Sequence, residues 1–305
     1  MTISRKTQVT GASITLLLLI LLGGLLLAGR LHKDEDSQEN VSVAATIFPL
    51  YDLTRTIAGG QMDVQLMIEP GVSEHSFEAS PALTRALANT DAVFFIGAGL
   101  DDWVKDSAPD TATLVDLSTS VSLIEVEGDE EFPTGKDPHY WLSPKNAMLM
   151  AAVIRDELAT LDPASQTVFH QNYDSLVADL ERLDEESRAS LGVLSFRNIA
   201  TFHEAFSYFA RDFDLNVVAT FEPFPGQTPS PEELAEYEGA IATYGLKTIF
   251  SEPQLASDAL TQVAEDLNVR LVVLDPVGGV EGRDSYRKLI EYNVITIRNV
   301  LIHNN

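Results

Sequence analysis

Three of the six histidines in this 305-residue chain follow predicted β-strands. His75 lies in EPGVSEHSFEASP, His139 lies in KDPHYWLSP, and His203 comes directly after RNIATF. An aspartate, Asp275, ends another predicted strand in VVLDPVGG. Three imidazoles and one carboxylate are a suitable ligand set for a divalent ion, above all for Zn²⁺ in tetrahedral geometry. These four residues are therefore candidate metal ligands.

Each candidate also has an ordinary structural interpretation. A histidine after a strand often serves as a capping or hydrogen-bonding residue, and Asp275 before Pro276 is a common start of a turn. The spacing is long-range and differs from local metal motifs, such as two histidines one helical turn apart. From the residues alone, both interpretations stay open.

The elements that must position these residues alternate between strand and helix patterns. Apolar, β-branched runs predict eight strands, at 41–48, 63–68, 91–97, 113–118, 197–202, 216–221, 246–251 and 270–275. Such near-continuous apolar runs are typical of parallel strands that are buried on both faces. Helical patterns lie between them, at 80–90, 203–213, 230–245, 257–267 and 284–302. The sequence therefore predicts an α/β fold with mostly parallel sheets flanked by helices.

One long helical stretch separates the two halves of this pattern. Residues 163–191 have no internal proline or glycine and would form a helix near 40 Å long. We expect this rigid helix to join two α/β lobes. The predicted segments are an N-terminal lobe at 41–162, a linking helix at 163–193 and a C-terminal lobe at 194–305.

The candidate ligands are expected to meet in the cleft between the lobes. In open α/β sheets, ligands bind outside the carboxyl ends of the strands. His75 and His139 would come from the first lobe. His203 and Asp275 would come from the second lobe, so a bound ion would bridge the cleft.

Charge and cysteine content exclude several functions. The chain has 20 lysines and arginines against 46 acidic residues, a net charge of −26. Such acidity repels phosphate backbones and attracts cations, so we expect no nucleic-acid partner. The chain has no cysteine, which removes disulfides and thiolate metal ligands.

The N-terminal region predicts a location outside the cytoplasm. Residues 11–29, GASITLLLLILLGGLLLAG, form an uncharged apolar run that is long enough to span a bilayer. Arg5 and Lys6 precede it, which places the N-terminus inside and the rest of the chain outside. We expect an uncleaved membrane helix, with release after signal cleavage as the alternative. Residues 30–40 complete the segment 1–40 as a charged tether.

Several motifs resemble the metal-binding solute-binding proteins of bacterial ABC importers, the zinc and manganese uptake family. They occur in the family's order between residues 41 and 302: GVSEHSFEASPALTRALANTDAVFFIGAGLDDWV, DPHYWLSPKNA, TFHEAFSYFARDF, IFSEPQLAS and LDPVGG. The resemblance implies two α/β lobes joined by a long helix. It also implies metal ligands at His75, His139, His203 and Asp275.

The family resemblance implies a function as well. It implies a monomer that captures a divalent transition metal with high affinity and delivers the ion to an ABC permease with its ATPase. Manganese-binding relatives usually have glutamate at the third ligand position and zinc-binding relatives have histidine. His203 therefore favours Zn²⁺, with Mn²⁺ as the alternative. Where relatives carry a lipid-attachment cysteine this chain has Arg30, so an anchor would be the apolar helix itself.

Other functions remain as alternatives. A zinc-dependent hydrolase could use Glu74 or Glu252 as its base, although either residue could instead orient a ligand histidine or replace a ligand. A fourth protein ligand would close the site, and no HExxH helix or Gly-x-Ser-x-Gly elbow occurs. We therefore expect no enzyme activity. A surface adhesin is a third alternative, because some relatives are described in that way.

Overall fold

The computed structural model of the protein describes residues 41–126, 134–222, 229–254 and 258–302. Its strands are β1 (Ser42–Ala45), β2 (Asp63–Leu66), β3 (Ala92–Phe95), β4 (Thr113–Asp116), β5 (Asn198–Thr201), β6 (Asn216–Thr220), β7 (Thr248–Ser251) and β8 (Arg270–Val273). Its α-helices are α1 (Phe48–Ala58), α2 (Pro81–Ala86), α3 (Val104–Ser107), α4 (Pro144–Leu161), α5 (Gln166–Gly192), α6 (Ser207–Phe213), α7 (Pro231–Tyr244), α8 (Asp258–Asp266) and α9 (Tyr286–Leu301). The predicted membrane segment at 11–29 lies outside the described residues.

All eight predicted strands are confirmed, and they pair in parallel. The first four form one sheet in the order β2-β1-β3-β4. The last four form two parallel pairs, β5 with β6 and β7 with β8. Because β5 lies beside β7, the order β6-β5-β7-β8 repeats the order of the first sheet. The two halves therefore place their strand ends in equivalent ways.

Serine residues define where several helices begin. Ser80, Ser143 and Ser230 each accept a hydrogen bond from the backbone N–H three residues later, and each is followed by proline at the first helical position. Proline fits there because the first turn needs no N–H from it. Ser143 matters most for the site, since it begins α4 four residues after His139.

The long helix predicted at 163–191 is confirmed as α5, which has 27 residues and is about 40 Å long. It packs against α4, α1 and α9. Its buried face contributes Phe169, Leu180, Leu183 and Leu191 to a core that includes residues from both halves of the chain. Residues 41–305 form one compact unit, and the lobe boundaries at 162 and 193 stay a prediction.

One predicted helix starts later than its sequence pattern indicates. The pattern places a helix at 203–213, whereas α6 begins at Ser207. The four residues from His203 to Phe206 form the bend between β5 and α6. The polypeptide uses this bend to turn His203 towards the carboxyl ends of the strands.

No helix within the described ranges is both long enough and apolar enough to cross a membrane.

Candidate metal centre

The structure brings three of the four predicted ligands together. One ring nitrogen from each of His75, His139 and His203 lies within 4.8 Å of the others. His139 is central, because its Nε2 lies 3.0 Å from Nε2 of His75 and 3.2 Å from Nε2 of His203. In a tetrahedral site with Zn–N bonds of about 2.0–2.1 Å, neighbouring nitrogens are about 3.3–3.4 Å apart. The histidine cluster therefore has nearly the size that a bound Zn²⁺ requires.

A buried carboxylate orients His139. Oδ1 of Asp137 accepts hydrogen bonds from the backbone N–H of His139, at 2.8 Å, and from its Nδ1, at 2.9 Å. Because Oδ1 already accepts the backbone N–H, we assign the ring proton to Nδ1. Nε2 of His139 then carries a lone pair. Burial raises the pKa of Asp137 to about 7, and the His139 backbone N–H partly offsets this effect.

His203 has a matching partner in the second half of the chain. Its Nδ1 lies 2.7 Å from Oε1 of Glu252, which follows β7, and both side chains are buried. The same oxygen also faces the backbone N–H of His203, at 3.4 Å. By the same reasoning Nδ1 donates and Nε2 of His203 carries a lone pair.

These two tautomers have a direct chemical consequence. With this assignment, the Nε2 atoms of His139 and His203, 3.2 Å apart, present lone pairs to each other. Two lone pairs at this distance repel, and they gain energy only when a cation or a proton lies between them. Protonation is disfavoured, because burial, and then the neighbouring His203, lower the pKa of His139 well below its usual value. The geometry is thus that of a cation site.

His75 completes the cluster from a more exposed position. It lies in the segment between β2 and α2 and is only partly buried. Burial lowers the pKa of His75 well below its usual value, and the neighbouring His139 and His203 lower it further. The lowered pKa values of His75 and His139 favour their neutral forms, which are the forms that bind a metal ion.

Asp275 is fully buried and lies two residues after the end of β8. The group of candidate ligand atoms that lie within 4.8 Å of one another contains the three histidines but not Asp275. Its Oδ1 accepts hydrogen bonds from Gln254 Nε2, Val277 N and Gly278 N, at 2.9–3.0 Å. Its Oδ2 accepts no well-aligned hydrogen bond from the described residues, but lies 3.1 Å from Nε of Arg283. Oδ2 is thus the oxygen that Asp275 can offer to a ligand.

Glu74 is a fourth buried carboxylate in this region, after Asp137, Glu252 and Asp275. It precedes His75, is 3% exposed, and its Oε1 has no hydrogen-bond partner among the described residues. Burial raises the pKa of Glu74 to about 7, while the adjacent His203 lowers it and Glu252 and Asp275 raise it. A buried carboxylate oxygen without a hydrogen-bond partner next to His75 in the sequence is a candidate metal ligand.

Sequence analysis missed the role of Asp137 and left that of Glu252 open between a surface carboxylate, an orienting partner and a ligand. The spacing Asp-x-His in KDPHYW was the available signal, because an aspartate two residues before a histidine can reach its Nδ1. Sequence analysis left Glu252 and Glu74 open between orienting and binding roles. In the structure, Glu252 is hydrogen-bonded to Nδ1 of His203. Among the described residues, Glu74 makes no hydrogen bond to a histidine ring.

Two cross-connections hold the ligand loops together. Trp141 Nε1 donates a hydrogen bond of 2.8 Å to the carbonyl oxygen of Pro276, so the loop of His139 is tied to the loop of Asp275. Gly279 lies at φ 84° against Pro70 and Phe48, where a Cβ atom would collide with both side chains. The loop after β8 can therefore pack directly on the segment that leads to His75.

Parallel α/β halves and a converging three-histidine cluster define a metal-binding protein of the two-lobed type. The chain belongs to the ZnuA family, described as zinc-uptake complex component A, periplasmic, whose profile matches residues 43–300.

Individual relatives agree with this family membership. The chain is 26% identical to the zinc-binding protein AdcA of Streptococcus pyogenes over 289 residues, which cover 86% of this chain and 56% of AdcA. It is 25% identical to the manganese-binding lipoprotein MntA of Halalkalibacterium halodurans, with 85% of this chain and 87% of MntA covered. The chain thus spans just over half the length of AdcA.

A solved structure confirms the fold. A crystal structure of ZnuA superimposes with a TM-score of 0.77 at 27% identity, covering 87% of this chain and all of the ZnuA chain. The mixed α/β architecture with parallel sheets flanked by helices is therefore shared with that protein.

Proposed function

We propose that this chain captures Zn²⁺ outside the cytoplasm and delivers the ion to an ABC permease driven by an ATPase. The observation that carries the proposal is the pair of facing Nε2 atoms of His139 and His203, 3.2 Å apart. Their Nδ1 atoms are committed to Asp137 and Glu252, so the pair has two lone pairs for one cation. The family membership and the name of AdcA support the same assignment.

The proposed ligands are His75, His139, His203 and Asp275. The three imidazoles would supply three corners of a tetrahedron, and Oδ2 of Asp275 the fourth. Glu74 competes for that fourth corner, because its Oε1 is buried without a hydrogen-bond partner among the described residues.

The choice of zinc over manganese follows from the donor atoms. Imidazole nitrogen suits Zn²⁺, whereas Mn²⁺ is better matched by carboxylate, carbonyl and water oxygens. A site with three nitrogens and one oxygen therefore favours zinc. Manganese stays the alternative cargo, in line with the name of MntA.

The family is a metal-binding component of transport and not a family of enzymes. For this chain we propose binding without chemistry, because four protein ligands would leave no open position for a reactive water. We propose that the protein is a monomer and lies on the outer side of the membrane. Residues 11–29 would anchor it, or cleavage would release it.

Zinc titration of the full 305-residue chain against a competing chromophoric chelator tests this proposal. We expect saturation at about one ion per chain. No competition with the chelator would overturn the proposal. So would zinc-dependent hydrolysis of simple ester, amide or phosphate substrates that disappears in Glu74→Gln, since that result would indicate an enzyme.

The fourth ligand is tested by comparing Asp275→Asn with Glu74→Gln in the same titration. If Asp275 binds the ion, its variant should weaken zinc binding by about 100-fold, one quarter of the binding free energy of a four-ligand site. The Glu74 variant should then cost less. The reverse order would assign the fourth corner to Glu74.

A further inference from the structure

The carboxylate of Asp275 is shared between a hydrogen-bonding network and a single positive charge. Three N–H donors occupy Oδ1, whereas Oδ2 faces only Nε of Arg283, at 3.1 Å, among the contacts of the described residues. The backbone of Asp275 is fixed as well. Asn293 on α9 accepts from its N–H at 2.9 Å and donates to its carbonyl at 2.7 Å. Asp275 therefore cannot turn to present its other oxygen.

Arg283 is held against this carboxylate by its own surroundings. Its guanidinium stacks over the ring of Tyr292 at 4.6 Å, and its side chain is 17% exposed. Its backbone closes a short turn, in which Arg283 N donates to Val280 O and Gly279 N donates to Arg283 O, each at 2.9 Å. Arg283 is thus a fixed positive charge beside Oδ2 of Asp275.

We propose that Arg283 determines metal selectivity by competing with the captured ion for Oδ2 of Asp275. This inference rests on the proposed function. Since Oδ1 already accepts three N–H donors, Asp275 offers the ion mainly Oδ2, where the positive charge of the guanidinium opposes an incoming cation.

Ions that depend on oxygen ligands lose most from this competition. Zn²⁺ is already satisfied by three imidazole nitrogens and needs only a single further donor. Mn²⁺ gains less binding energy from nitrogen ligands and more from carboxylate oxygen. The contact between Arg283 and Oδ2 should therefore weaken manganese binding more than zinc binding. The positive charge of Arg283 also lowers the net negative charge that a hard cation would meet.

The test is to measure zinc and manganese affinities of the full 305-residue chain and of Arg283→Gln, using ZnCl₂ and MnCl₂ with competing chelators. We expect manganese binding to tighten roughly tenfold, the equivalent of one charge-assisted hydrogen bond, and zinc binding to tighten less. Arg270→Gln, at the exposed start of β8, is the matched control for the loss of one positive charge. It should leave the zinc-to-manganese ratio unchanged.

A second background tests whether the effect passes through Asp275. When Arg283→Gln is added to Asp275→Asn, the zinc-to-manganese affinity ratio should not change further. An unchanged ratio in Arg283→Gln alone, or an equal change in the Asp275→Asn background, would overturn the proposal. If Arg283→Gln does not fold, Arg283→Met, which keeps the stem over Tyr292, takes its place. If the unchanged chain does not bind zinc, the proposed function is refuted. The selectivity proposal is refuted only by the zinc-to-manganese affinity ratios of the variants.

Discussion

The histidine cluster has two kinds of members. His139 and His203 are buried, 0% and 1% exposed, and a carboxylate binds the Nδ1 of each. His75 is partly buried in the segment between β2 and α2, and the structure gives it no carboxylate partner among the described residues. The two buried rings are thus held by carboxylates, whereas His75 is more exposed and has no such partner among the described residues. If the cluster binds Zn²⁺ as proposed, we expect the buried pair to contribute more to affinity than His75.

Replacing single histidines should change zinc affinity more than any other substitution, and by different amounts for the buried pair and for His75. Sharing roughly 10–16 kcal/mol of zinc-binding energy among four ligands assigns about 3 kcal/mol to each, or about 100-fold in affinity. We expect His139→Ala to lose at least that much, because its Nε2 contacts both other rings. His75→Ala should lose on the order of tenfold, since water can reach its half-buried position and replace it. Equal losses in zinc titrations would contradict the distinction.

Glu74 differs from its neighbours in the segment of His75, because it is a buried carboxylate among mostly exposed residues. Burial raises its pKa from an ordinary 4.5 to about 7 in the folded chain. Above pH 7 the folded chain must ionise a buried group, which lowers stability. This cost is relieved as the pH falls through the window from about 7 to 4.5, where the folded chain takes up a proton that the unfolded chain does not.

Glu74→Gln removes that cost. With chelator present, we expect the variant to be more stable than the unchanged chain at pH 8 by about 2–3 kcal/mol, and to gain much less at pH 5. Thermal unfolding at the two pH values measures the difference. An equal gain at both values would mean that Glu74 is not ionised at a cost in the folded chain.

The two orienting carboxylates should have intermediate effects. Asp137→Asn and Glu252→Gln leave the ligand nitrogens in place but free the rings to turn or to change tautomer. Partners of this kind usually account for 10–100-fold in metal affinity. We expect losses in this range by zinc titration, and none for Glu185→Gln on the exposed face of α5. Unchanged affinity in both variants would show that the buried pair is not pre-oriented by its carboxylates.

Trp141 should give the smallest effect. Trp141→Phe keeps an aromatic ring of smaller size but leaves the buried carbonyl of Pro276 without its donor, and the lost hydrogen bond alone should cost about 1–2 kcal/mol in the free energy of unfolding. Trp103→Phe is a matched control, because the buried Nε1 of Trp103 has no hydrogen-bond partner among the described residues. We expect denaturant unfolding to show a loss only for Trp141. Equal losses would assign the effect to packing.

Local sequence patterns predict much of the fold. The eight strands and α5 follow from apolar runs and from a stretch without proline or glycine, and the structure confirms them. Helix α6 begins at Ser207 although the pattern extends back to residue 203, because the residues between β5 and α6 form a bend there. Local helix preference gives way where a ligand must be presented.

The candidate site was less accessible to sequence analysis. Histidines at strand ends predicted the cluster, because parallel strands share one carboxyl edge. The ion pair between Arg283 and Asp275 could not be predicted, since it depends on the conformation of a loop with three left-handed glycines, Gly278, Gly279 and Gly282. Nor does sequence reveal that Oδ1 of Asp275 is fully engaged, because its donors include backbone groups.

Competitive metal loading tests the central claim most directly. The full 305-residue chain would be exposed to equal concentrations of zinc, manganese and ferrous iron, desalted, and examined by elemental analysis beside His139→Ala. Retention of about one zinc per chain, lost in His139→Ala, is the result that three converging imidazoles predict. Retention of manganese in preference to zinc, or of no metal at all, would contradict it.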